Sequence, residues 1–153
     1  MAEPEPGDDF ENFPRGRLAM RLPRRRLWSA LVTELQVSVG RSEGGRAYDL
    51  ANLGAWSDAQ LAGLIPEIAR GCRIWAEAGW VWAQPAHARR PRQLFRLDSP
   101  ALAAFNRFNG QTCLEANAAD LAQETGWEAG RCFAYVRGLF LWLVLAGVCL
   151  PKG

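Results

Sequence analysis

Few residues in this chain could do chemistry, and their spacing decides what they can be. Cys72, Cys113, Cys132 and Cys149 are widely separated, and His87 is the single histidine. A structural zinc site draws its ligands from closely spaced Cys or His pairs, so this set does not supply one. The cysteines read instead as free thiols buried as small hydrophobes. His87 lies in the loop AHARRP with no Ser or Cys beside it. No G-x-S-x-G, P-loop, G-x-G-x-x-G, H-E-x-x-H or paired-carboxylate motif is present. The sequence therefore offers no catalytic residue, no metal site and no cofactor motif, and a non-catalytic role is expected.

What remains is recognition chemistry, carried by arginine and tryptophan. Lys152 is the one lysine among 18 basic residues. Residues 1–13 hold Glu3, Glu5, Asp8, Asp9 and Glu11 without a base, and residues 14–26 hold Arg15, Arg17, Arg21, Arg24, Arg25 and Arg26 without an acid. With four prolines among them, residues 1–26 are expected to form a disordered, charge-segregated tail. Its Arg block is either a solvated stretch or a handle for nucleic acid, an acidic protein surface or anionic lipid. A second basic run contains Arg89, Arg90, Arg92 and Arg96. Trp75, Trp80 and Trp82 fall on neighbouring strand positions, where indoles either pack across a hairpin or present an aromatic surface to a partner.

These groups must be positioned by elements that the pattern also announces. After the tail, residues 27–70 read as an extension made of a hairpin and a helix: ELQVSV alternates, GRSEGG closes a turn and RAYDL returns. The S-x-x-Q box at Ser57–Gln60 opens a helix along DAQLAGLIPEIARG, with Leu61, Leu64, Ile65 and Ile68 on one face, bent near Pro66 and ended by Gly71. Residues 71–153 then give two short alternating runs around Ala78-Gly79, a third run QLFRLD, and three helices. Asp98-Ser99-Pro100 starts the first helix, and T-x-x-E boxes at Thr112–Glu115 and Thr125–Glu128 start the others. The expected fold is α+β: a small winged-helix-like domain, with a three-stranded antiparallel sheet followed by three helices.

Composition sets the outer limits. The chain has 153 residues, 49% of them apolar and 22% charged, with a net charge of +2, which allows one compact domain with appendages and excludes a fibrous or wholly disordered chain. So small a net charge gives no general argument for nucleic acid. The apolar stretch 132–150 is interrupted by Arg137, and the uncharged remainder is shorter than the roughly 20 residues a bilayer span requires. A buried core helix is expected there. The acidic opening MAEPEPGDDFENF lacks the apolar core of a secretory signal, so the expected compartment is the cytoplasm.

From GCRIW, through RQLFRLDSPALAAFNRFNGQTCLEANAADLA, to the apolar last helix ending in GVCLP, residues 71–150 resemble the PqqD-like domains. These are small peptide chaperones and RiPP precursor recognition elements that serve peptide-modifying enzymes. The resemblance implies a peptide-binding adaptor without cofactor, whose partner is a radical SAM enzyme or another peptide-modifying enzyme. In that family a leader peptide adds as a strand to the sheet edge, facing the last helix. By position, Leu94, Phe95, Arg96 and Leu97 would lie on that edge strand, and Arg131, Tyr135 and Arg137 on the helix opposite. Guanidinium groups there would pair with acidic residues of a leader. Two alternatives remain. An accessory subunit of a larger enzyme complex is one. The other is a winged-helix DNA-binding regulator, which the apolar would-be recognition helix starting at Glu128 argues against.

Overall fold

The computed structural model describes residues 10–13, 16 and 50–152. The expected hairpin between residues 34 and 50 and the Arg15–Arg26 block fall outside the described residues, Gly16 apart.

Ser57 caps the first helix, α1 (Asp58–Ala62), as its sequence predicts. Its hydroxyl accepts from the Gln60 amide at 3.2 Å, and the Gln60 side chain accepts from the Ser57 amide at 2.9 Å. The helix is much shorter than expected. Proline at 66 cannot donate to the carbonyl of Ala62 and crowds it, and it pushes Ile65 out of helical geometry. The chain instead forms strand β1 (Pro66–Ile68), which pairs antiparallel with the last strand, β5 (Cys149–Pro151), in the register Pro66 to Pro151 and Ile68 to Cys149. Two further bonds extend this clasp, from the Lys152 amide to the Ile65 carbonyl at 2.7 Å and from the Ala69 amide to the Val148 carbonyl at 2.8 Å.

Strands β2 (Arg73–Glu77), β3 (Trp80–Gln84) and β4 (Arg92–Arg96) form the three-stranded antiparallel sheet, in that order. Ala78 (φ 52°) and Gly79 (φ 81°) close the first hairpin with two left-handed residues, the geometry that matches strand twist. A register shift at Val81/Trp82 leaves Leu94 without a Cα partner, because Val81 faces Phe95 while Trp82 faces Gln93. The bulge turns the consecutive Leu94 and Phe95 both into the core.

Three helices follow the sheet: α2 (Pro100–Phe105), α3 (Leu114–Thr125) and α4 (Ala129–Leu145). Ser99 and Pro100 start α2 as expected. Neither Thr box forms. The Asn109 carboxamide accepts from the Gln111 and Thr112 amides at 2.9 and 3.1 Å, so Cys113 becomes the N-cap of α3. The Thr125 hydroxyl donates back to the Leu121 carbonyl at 2.8 Å, leaving Glu128 to begin α4. Edge-on aromatic contacts run Phe95–Phe105–Phe108–Phe140 at centroid distances of 5.3, 6.2 and 6.0 Å, tying the sheet to α4 through the centre of the core. Among the described residues no helix is long and apolar enough to cross a membrane.

Because α4 is apolar on nearly every side, it must be enclosed. Part of the cover comes from the segment expected to be disordered. Phe10–Asn12 form a 3-10 turn, and the Phe10 ring is 4% exposed against α4. Residues 10–13 of the stretch expected to be disordered thus pack on α4: one aromatic side chain finds an apolar site that composition averaged over the tail conceals.

Candidate binding surface

The seven residues implied by the family resemblance do not assemble into one groove. Leu94, Phe95 and Tyr135 are buried in the core. Arg137 is also buried, and donates to the Asp58 carboxylate at 2.8 Å at the start of α1. That pairing explains how a charge is accommodated inside the apolar helix. Arg96, Leu97 and Arg131 face solvent, but Arg131 is committed elsewhere, pairing with Glu11 at 2.6 Å while stacking over Trp127 at 3.8 Å. Four of the seven side chains, Leu94, Phe95, Tyr135 and Arg137, are thus buried. β4 is an edge of the sheet, as the resemblance requires.

A different surface is assembled on the outward face of the sheet. Trp75 lies directly across from Trp82, and Glu77 across from Trp80, so alternation places all three indoles on one face with Glu77. Trp80 is also opposite Arg96 on β4. The Trp75 indole N–H donates to the Glu77 carboxylate at 3.3 Å, and the Trp82 indole N–H to the Glu77 carbonyl at 3.4 Å, which fixes both rings. Arg73 lies 6.0 Å from the Trp75 ring and Arg96 lies 5.8 Å from the Trp80 ring. From Arg70 to Asp98 the sequence carries six arginines against Glu77 and Asp98, and all six are exposed. The indoles are half-buried, and the surface is aromatic, cationic and held in place.

Strand β2 is the other edge of the sheet, and it is exposed on both faces; Ile74, on the inward side, is still 37% exposed. A two-residue turn makes Glu77 and Trp80 a hydrogen-bonded pair, so the alternating ladder turns the backbone groups of Ile74 and Ala76 outward. Among the described residues no backbone bond outside the ladder reaches Arg73–Glu77.

The sequence held the signal for this surface. Once the turn is placed at Ala78-Gly79, counting outward pairs Trp75 with Trp82 and puts Trp80 on their side. What the count could not give was which face meets the core, which depends on Val81 and Ala83 packing beneath the helices.

Two of the four thiols, Cys72 and Cys149, are shifted by their surroundings. Burial pushes the Cys149 thiol well above its ordinary value, with Cys72 nearby adding to the shift, and burial raises Cys72 as well. Both stay protonated near neutrality and are poor nucleophiles. In the pair α3–α4 the second helix buries Cys132, residues 135–141, Leu143 and Val144, which leaves few of its side chains for a groove. Comparison with family models, with curated proteins and with solved structures finds no match for this chain.

Proposed function

We propose that this chain is a non-catalytic, cytoplasmic peptide-binding adaptor that holds an extended acidic segment for a partner enzyme, in the manner of the PqqD-like domains it resembles. The observation that carries the reading is the open β2 edge, bordered by the Trp75–Trp80–Trp82 face and its arginines. An added strand gains backbone bonds from Ile74 and Ala76, while alternate side chains meet indole faces and guanidinium groups. The added strand runs along β2 in this reading, because Leu94 and Phe95 of β4 are turned into the core and β2 is exposed on both faces.

Calorimetry with a nine-residue peptide alternating Glu with Val or Tyr tests it. Ala76→Pro removes an outward donor without breaking the β2–β3 ladder, so binding should fall at least tenfold with the circular dichroism spectrum unchanged. A proline in the middle of the peptide should have the same effect. Binding indifferent to both changes, or no binding at all, would replace strand addition with a subunit-interface role, and preference for oligonucleotide over peptide would favour the DNA-binding alternative.

A further inference from the structure

One face of α4 carries a fitted ligand from the same chain. Phe10 packs edge-on against Tyr135 at 5.4 Å and tilted against Trp142 at 5.6 Å. Glu11 accepts from Arg131 at 2.6 Å, one turn toward the start of the helix. Between these contacts stands Gly138, in the middle of an otherwise strongly apolar helix. A Cβ there would overlap the Phe10 carbonyl and come within 3.1 Å of the Phe13 side chain, so the glycine exists as a flat seat for backbone. The Phe13 amide donates to the Phe10 carbonyl at 3.3 Å, which makes residues 10–13 a self-contained turn.

Each part of the seat reads a different feature of the segment: an aromatic ring, a carboxylate and a close-lying main chain. A patch that only needed covering would require neither the rim charge pair nor the glycine. We propose that this face of α4 recognises short acidic–aromatic peptides of the form Phe-Glu-x-Phe, that Phe10–Phe13 fills it as a ligand in cis, and that a partner protein's segment of the same chemistry displaces it. Charge complementarity supports that occupant, since the sequence of residues 1–13 carries five acids and no base, and one of those acids, Glu11, meets Arg131. The site is on α4 and not on the sheet, so it stands independently of strand addition along β2.

The test uses the full chain and a fluorescent peptide of residues 5–14, EPGDDFENFP. A tethered segment competes at an effective concentration on the order of millimolar, so the unaltered chain should bind the peptide weakly. Glu11→Arg loosens the tethered copy while leaving its seat intact, and should tighten binding of the added peptide at least tenfold. Adding Gly138→Ala to Glu11→Arg should abolish that gain. Adding Arg131→Glu instead should restore the cis contact with reversed charge and return binding to the unaltered level. A Glu11→Arg chain that binds no tighter than the unaltered one, or binding that survives Gly138→Ala, overturns the proposal. If Glu11→Arg does not fold, amide exchange on the unaltered chain decides: residues 11–13 exchanging at least tenfold faster than the middle of α4 supports a detachable ligand, and equal rates sink it.

Discussion

Strand β2 and helix α4 are opposites built by neighbouring parts of one chain. β2 alternates Arg, Trp and Glu with Ile74 and Ala76, buries none of its residues fully, and keeps an open edge. α4 buries Cys132, Val136, Leu139, Phe140, Leu143 and Val144 and is enclosed by α3, β5 and the Phe10 turn. The difference teaches where stability resides: substitutions at the core-facing positions of α4 should act on the fold, and substitutions on the outer sheet should act on what is bound.

The largest effect should come from Phe140→Ala, which empties the end of the aromatic chain that runs to the sheet. Chemical denaturation should show a loss of about 3–5 kcal/mol. Phe10→Ala should cost about 2–4 kcal/mol by the same mechanism, and deleting residues 1–26 should cost as much. If the deletion left the thermal transition unchanged, the enclosure of α4 would be wrong. Cys149 gives a pH signature. Its folded-state thiol is held above the unfolded value of 9.0, so above that pH the unfolded chain releases a proton that the folded chain keeps. Stability should therefore fall as pH rises past 9, by up to about 1.4 kcal/mol per pH unit, and Cys149→Ala should flatten that slope. Trp80→Ala, on the outer sheet, should change stability by less than about 1 kcal/mol while weakening peptide binding. The smallest change should be a gain: Ala78→Asn relieves a side chain held at positive φ and should add about 0.5–1 kcal/mol.

Local signals were readable in the sequence and non-local ones were not. The Ser57 box, Pro100 at a helix start and the Ala78-Gly79 turn each depend on a few adjacent residues. The T-x-x-E boxes were legible but outcompeted, because Asn109 and the Leu121 carbonyl were better partners for the same groups. β1 was hidden inside an apparent helix, since its partner β5 lies at the far end of the sequence and periodicity carries no memory of such distance. The inward turn of both Leu94 and Phe95 depends on a bulge, which strict alternation cannot express. Arg137 looked like a groove residue until Asp58 was seen beside it, a pairing that only the packing of α1 onto α4 creates. Of the candidate surface, the Trp register was readable; the seat around Gly138 was not, because nothing in an acidic, proline-rich opening announces that it docks.

The β1–β5 clasp sets a condition on how the molecule emerges during translation. Pro66–Ile68 are synthesised early, yet their ladder partners are Cys149–Pro151, and the Lys152 ammonium reaches the Gly110 carbonyl at 2.8 Å to close the same corner. A ribosome that has delivered the three-stranded sheet and the three helices after it still holds a nascent chain with an unpaired strand, waiting on Cys149–Pro151. A pause in decoding between codons 146 and 149 would prolong that open interval, whereas the same pause within the codons for β2 would not.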